Sequence, residues 1–179
     1  MNIYIMRHGT TVWNEKKIIQ GRSNNKLSSY GKELTKERAL EFANTNFDII
    51  YSSPLMRTMQ TANLMNKFHK VKIIKDERLN ELDQGIFVKR LKTTLTEKEK
   101  QQRAKRDKSC GMESYKQVVD RASSFLRDLK NSNYENILII THNAVASFLG
   151  QLISGKQIDF ANCYSTFNFN NAEIRKFVL

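Results

Sequence analysis

The chain has 179 residues, 30 Lys+Arg against 18 Asp+Glu, and a formal net charge of +12. With 40% hydrophobic and 27% charged residues it is globular in composition and long enough to bury a core, which excludes a disordered chain. One proline and seven glycines exclude collagen-like sequence and proline-rich linkers. Two cysteines, Cys110 and Cys163, have no metal spacing and are too few for a disulfide framework, so a reducing, intracellular setting is expected.

The opening run from Met1 to Met6 is too short for a secretory h-region and meets Arg7 and His8 at once. The uncharged stretch from Ile137 to Ser154 contains His142, Asn143 and Gln151, and reads as a strand followed by a helix rather than a membrane span. The expected protein is soluble and cytoplasmic, with no membrane partner. Its basic balance would suit phosphate neutralisation by a nucleic-acid binder, attraction of small anionic substrates by an enzyme, or merely a solvated surface.

Short β-rich runs predict strands at Ile3 to Met6, Phe47 to Tyr51, Val71 to Lys75 and Asn136 to Thr141. Between them lie helical patterns. One is loose, through Leu34, Ala39, Phe42 and Ala43, and a second runs from Met56 to Phe68. A third is clear from Tyr115 to Leu129, started by a capping box at Ser114 and Gln117. A fourth runs from Asn143 to about Ile153 and stops at Ser154-Gly155. Such alternation implies an α/β fold: a mostly parallel sheet with helices on both faces, a three-layer α/β/α sandwich. In the tail from Cys163 to Leu179, apolar residues flank an Asn170-Asn171 turn, predicting a hairpin at the sheet edge. No repeat or linker divides the chain, so one domain over 1–179 is expected.

The segment from Lys89 to Lys108 breaks the pattern, being basic and nearly devoid of apolar residues. Thr96 and Glu99 could cap a helix there that buries little. Its alternatives are a solvated surface or a cationic lid over a site for anions.

Ligands of open parallel sheets bind at the carboxyl ends of the strands. The first predicted strand leads into Arg7-His8-Gly9, the second into Ser52-Ser53-Pro54-Leu55 and Arg57, the third on to Glu81, and the fourth into His142. Two arginines, two histidines and a glutamate thus converge on one sheet edge. Guanidinium forks match the oxygens of a phosphoryl group. A neutral imidazole can attack phosphorus if its far nitrogen is held as a donor. The amides of the helix starting at Asn143 favour the same anion. A protonated Glu81 could supply the leaving oxygen's proton.

These residues belong to longer motifs. Arg7-His8-Gly9, Thr11, Trp13-Asn14, Gln20-Gly21, Leu27 and Gly31 form one block. Ser52-Ser53-Pro54-Leu55, Arg57-Thr58 and Gln60-Thr61-Ala62 form a second. Leu79, Glu81 and Gly85, then Gly111, Glu113-Ser114 and Arg121, and finally Thr141-His142 follow in order. In these blocks the chain resembles the histidine phosphatase superfamily, in the branch of cofactor-dependent phosphoglycerate mutases and related small phosphatases. The resemblance implies that His8 is the nucleophile and is transiently phosphorylated. It implies a phosphate pocket of Arg7, Arg57 and His142 assisted by Asn14, with Glu81 as general acid and Gln20 and Gly21 touching substrate. Thr10 and Asn143 depart from the usual residues, although the Asn143 amide can still donate. The family uses no metal, and no cofactor is expected for this chain.

The implied activity is that of a histidine acid-type phosphatase, a phosphoric monoester hydrolase acting on a small phosphorylated substrate. Mutase-type phosphoryl transfer is the alternative, which the short cap, at about 86–113, disfavours. A nucleic-acid-binding role on the same fold lacks any zinc, sheet or helix-turn-helix signature, so no specific nucleic acid is expected. The sequence carries no signal for an oligomeric state.

Overall fold

The computed structural model describes residues 1–158, 160 and 167–179. Five strands form one sheet: β1 (Asn2–Arg7), β2 (Ile49–Ser52), β3 (Lys72–Lys75), β4 (Asn136–Thr141) and β5 (Ile174–Val178). Their order is β3-β2-β4-β1-β5, and all pairs are parallel except β5 on β1. The four expected strands are present, β4 with its expected ends and the others with ends displaced by at most two residues. β2 starts at Ile49 rather than Phe47, because Phe47 instead packs edge-on against Tyr4 at 5.1 Å and Asp48 accepts the Glu135 and Asn136 amides.

Alternation sorts the strand side chains to two faces. Ile3, Ile5, Ile49, Ile137 and Ile139 face α5 (Tyr115–Lys130) and α6 (Asn143–Ile153). Met6, Ile50, Leu138 and Ile140 face α2 (Ser29–Glu41) and α3 (Met56–His69). Each fully buried aliphatic side chain contributes about 1.5–3 kcal/mol. The chain is therefore an α/β/α sandwich with a mostly parallel sheet.

Helix α5 has the expected capping box, and Val118, Ala122, Phe125, Leu126 and Leu129 make its buried stripe. α2 is only weakly amphipathic because its buried face is small: Gly31, Thr35 and Ala39. A Cβ on Gly31 would lie 1.9 Å from the Thr10 carbonyl oxygen, so the helix can approach the loop after β1 only with glycine there. A one-turn helix, α1 (Val12–Glu15), buries no residue and leaves no periodic trace in the sequence.

The tail differs from the hairpin expectation. β5 follows the turn, but 167–170, the described residues before it, form no strand. Their polar groups are taken by side chains: the Phe169 amide donates to Asn143 Oδ1, and its carbonyl accepts from Arg7 Nη1 at 2.6 Å. Cys163 lies outside the described residues.

The basic segment carries α4 (Glu97–Ala104), with the Thr96/Glu99 capping box and no buried residue. Around it Phe87, Leu95, Cys110 and Met112 gather with Ile19 into a small apolar cluster. Backbone bonds of Ile19 with Lys89 and Arg90, and of Lys92 with Lys17, attach the segment to the loop after α1. Among the described residues, no helix is long and apolar enough to cross a membrane.

Candidate active site

Strand register explains why the site residues meet. Arg7 is level with Thr141 across the β1–β4 ladder, and Ser52 with Ile140 across β2–β4. The next residues, His8, His142 and Ser53, therefore leave the sheet at nearly one height. The His8 and His142 rings lie 5.2 Å apart, tilted by 63°. Above them is a cavity of about 310 Å³. Arg7, His8, Asn14, Gln20, Gly21, Arg57, Glu81 and Asn143 all line it. His142 is the expected site residue that does not. It is 0% exposed, behind Ser53 and beside His8.

His8 is 2% exposed, and its ring orientation is set at both nitrogens. Nδ1 lies 2.7 Å from the Gly9 carbonyl oxygen, which can only accept, so Nδ1 carries the proton. Nε2 then has the lone pair, and Arg57 Nε–H donates to it at 3.2 Å. Burial, with the charges of Arg57 and Arg7, holds the His8 pKa well below its ordinary value and the imidazole neutral. The Asn171 side chain donates to the His8 carbonyl at 3.0 Å and ties the tail to this loop.

Arg57 is 1% exposed on the first turn of α3. Nη1 donates to Ser23 O at 2.7 Å and Nη2 to Gly21 O at 2.9 Å. Burial pulls its pKa down to about 10, helped by Arg7 and opposed by Glu81. Gly21 has φ +50, and a Cβ there would press on Val88 Cγ2 at 3.0 Å. Glycine thus lets the loop that grips Arg57 pass under the basic segment.

His142 is held by Ser53, whose hydroxyl lies 3.0 Å from His142 Nε2 and donates to Asn80 Oδ1 at 2.8 Å. With its proton committed to Asn80, Ser53 accepts from Nε2. His142 Nδ1 is buried and has no hydrogen-bond partner among the described residues. Burial, with the charge of Arg57 next, lowers its pKa well below the ordinary value.

Glu81 follows a 3-10 turn, Glu77–Leu79, beyond β3. Burial raises its pKa, against the Leu82 amide, which donates to Oε1 at 2.9 Å, and against Arg57, Arg7 and Arg121. Its loop is bolted through Glu113, which accepts from Arg121, Arg22 and the Asp83 amide. Arg22 Nε also donates to the Glu81 carbonyl.

Asn14 Oδ1 accepts from the Thr11 amide, and the single Thr11 hydroxyl proton is shared between Asn14 Oδ1 at 2.9 Å and Gln20 Oε1 at 3.1 Å. Asn143 Nδ2 donates to Asn168 Oδ1. The cavity also contains Gln84 and Asn168, which the sequence did not mark, and Lys92 and Arg103 from the basic segment read as a possible lid. Gln84 and Asn168 have no local signal, and Lys92 and Arg103 are two among nine cations between residues 89 and 108.

The arrangement can hold a tetrahedral anion between two guanidiniums, beside a neutral imidazole with an outward lone pair and a carboxyl biased toward its acid form. Residues 3–178 match the model of the histidine phosphatase superfamily (branch 1). The chain belongs to that family, whose members are phosphatases and phosphoryl-transfer enzymes. It is 31% identical over 159 residues to "Putative phosphoserine phosphatase 2" of Hydrogenobacter thermophilus, covering 86% of this chain and 78% of that one. It is 36% identical over 99 residues to "Probable phosphoglycerate mutase GpmB" of Enterobacter sp., a match spanning 55% of this chain and only 46% of the relative. The alpha-ribazole phosphatase of Shigella flexneri superposes with a TM-score of 0.86 at 22% identity, covering 98% of this chain and 89% of that one. That likeness is one of fold.

Proposed function

We propose that the chain is a phosphomonoesterase that hydrolyses a small phosphorylated metabolite through a phosphohistidine at His8. The observation that carries this reading is the fixed tautomer of His8, with Nδ1–H on the Gly9 carbonyl and the Nε2 lone pair beside Arg57. In the first step Nε2 attacks phosphorus, the ester P–O bond breaks, and Glu81 gives its proton to the departing oxygen. In the second, Glu81 as carboxylate takes a proton from water, whose oxygen attacks phosphorus. The P–N bond breaks, the lone pair returns to Nε2, and inorganic phosphate leaves.

Arg7 and Arg57 neutralise the phosphoryl oxygens, and the Arg57 Nε–H passes from His8 to one of them as the P–N bond forms. His142, buried beside the His8 ring and bonded to Ser53 through Nε2, forms the back of the phosphate pocket. Asn14, whose oxygen is occupied by Thr11, contributes its Nδ2 donors. The Asn143 amide adds the N-terminal dipole of α6, and Gln20 and Gly21 border the leaving group.

Phosphoglycerate mutase-type transfer would share the phosphohistidine and differ only in the acceptor, and the relative named as a mutase supports keeping it as the alternative. A panel of phosphorylated metabolites separates the two. Release of inorganic phosphate in step with loss of ester is the expected result. A positional isomer formed without free phosphate would overturn the hydrolase reading.

A further inference from the structure

The turn before β5, Asn170 to Glu173, meets the loop that carries the nucleophile. Asn171 Nδ2 donates to the His8 carbonyl at 3.0 Å, and it reaches the Gly9 carbonyl at 3.4 Å and Asn14 Oδ1 at 3.5 Å. All three neighbours are oxygens that can only accept, which fixes the carboxamide with its nitrogen toward them. The Ala172 amide adds bonds to the Arg7 and His8 carbonyls at 3.1 and 3.3 Å. Three consecutive carbonyls, Arg7 to Gly9, are thus held from the tail.

The turn is itself firmly set. Ala172 is buried and has φ +58, a left-handed conformation disfavoured for a residue with a Cβ. Such a conformation persists where the surroundings over-determine it, and it clusters at functional sites. Here Arg38 Nε, from α2, donates to the Ala172 carbonyl at 3.1 Å. The Glu173 carboxylate accepts from the Asn170 amide and from Arg175 Nε, each at 2.6 Å. Ile174 then pairs with Met6, so β5 carries the turn to the end of β1.

Two groups orient the His8 ring before reaction, the Gly9 carbonyl at Nδ1 and Arg57 Nε–H at Nε2. Attack on phosphorus consumes the second, because the Nε2 lone pair enters the P–N bond. Of the two, the Gly9 carbonyl is then the anchor that remains. A carbonyl oxygen has two lone pairs, so His8 Nδ1–H and the Asn171 carboxamide share it without competing. We propose that Asn171 is a positioning residue for phosphoryl transfer, holding the His8–Gly9 peptide that aims the His8 ring and the Asn14 carboxamide that turns its Nδ2 to the cavity. The inference rests on the phosphohistidine reading of the site. Asn171 acts through these neighbours, since it does not itself line the cavity.

Two variants test the proposal, and either one that keeps the wild-type circular dichroism spectrum decides it. Asn171→Ala removes the carboxamide, and Asn171→Asp keeps its shape while putting an acceptor against three oxygens. Each should slow the phosphorylation burst by about 10²-fold, the scale of a small misplacement of a reacting group. The loss should be equal for alkyl and aryl phosphates, because the aim of the nucleophile is independent of the leaving group. Asn170, the exposed neighbour, bonds to Glu173 through its backbone amide and carbonyl. Asn170→Ala should therefore stay within about two-fold of the wild type.

A second readout needs no turnover. In nuclear magnetic resonance of the protein saturated with inorganic phosphate, the His8 Nδ1 proton should exchange with solvent about ten-fold faster or more in both variants than in the wild type. A burst within about three-fold of the wild type, or unchanged ring-proton exchange, overturns the proposal. A loss confined to alkyl phosphates also overturns it, since that pattern belongs to the proton donor. If the wild type forms no phosphohistidine, the hydrolase reading falls by itself. Ring-proton exchange then still decides the role of Asn171: faster exchange upholds its hold on His8, and unchanged exchange removes it.

Discussion

The floor and the roof of the cavity are built on different principles. The floor consists of strand ends and the residues just beyond them, and His8, Arg57 and His142 are almost wholly buried there. Their side chains are fixed by Gly9, Gly21, Ser23 and Ser53, so displacing a reacting group means breaking hydrogen bonds to strand ends and to the loop after α1. The roof, residues 86–113, is made of short 3-10 turns and α4, which buries none of its residues. It rests on a five-residue apolar cluster, a few backbone bonds to the loop after α1, and the bonds of Arg106 and Glu113 to the Glu81 loop at its C-terminal end. A floor of this kind preorganises charge for a reaction, whereas a lightly anchored roof can open locally and tolerate changed side chains. The proposed chemistry belongs to the first region.

The largest effect that tests this division is at His8. His8→Ala should lower phosphate release by about 10⁴-fold or more while the circular dichroism spectrum stays that of the wild type. A rate within about ten-fold of wild type would remove the nucleophile from the floor.

Next comes Glu81→Gln, which keeps the shape and removes the transferable proton. Turnover of alkyl phosphates should fall by about 10²–10⁴-fold, with a much smaller loss in the phosphorylation burst of an aryl phosphate, whose leaving group needs no proton. The pH profile carries the same signature. Because burial raises the Glu81 pKa, its acid form persists to higher pH, and kcat/KM for alkyl esters should decline as pH rises through that raised value. The aryl ester should lack this alkaline limb. The His8 pKa is well below 6.5, so His8 should produce no acid limb near that pH.

A smaller effect compares two identical devices in the two environments. Thr96 caps α4 and Ser114 caps α5, each in a complete capping box. Replacing an N-cap by alanine costs about 0.5–2 kcal/mol. In α5, which buries five side chains, Ser114→Ala should lower the stability measured by urea unfolding. Thr96→Ala should leave the global value nearly unchanged and accelerate hydrogen exchange within 86–113. Equal losses of global stability would mean that the roof is as tightly integrated as the floor.

The smallest effect concerns long-range charge. Raising salt to physiological strength, where the screening length is about 8 Å, should reduce kcat/KM for a doubly anionic ester by about three-fold more than for an aryl phosphate. Identical salt dependence would make the roof's charges a solvated surface only.

The same division governed what was legible in the sequence. β4 and α6 are found at the residues expected because Ile137 to Ile140 is an uninterrupted apolar run and Ser154-Gly155 ends the helix. The floor residues were legible because each directly follows a strand, or begins the helix after one, and carries a distinctive group. α1 was not, since one turn capped by Thr11 and Asn14 needs no apolar periodicity. The residues before Asn170 read as a strand from their aromatic spacing, yet Phe169 is buried with its backbone bonded to Arg7 and Asn143. In the roof, composition revealed a cationic segment but not its sorting. Arg90 pairs with Glu99 and Lys100 with Glu97, and Arg106 bonds the Asp83 and Glu113 carbonyls. Only tertiary structure brings Lys92 and Arg103 to the cavity.

The central claim is that His8 Nε2 becomes covalently bonded to phosphorus. Rapid quenching of the wild type with a radiolabelled phosphate ester, followed by peptide mapping, measures it directly. The account predicts an acid-labile, base-stable label on His8 that forms and decays at rates compatible with turnover. Label on another residue, or turnover without any labelled intermediate, would contradict it.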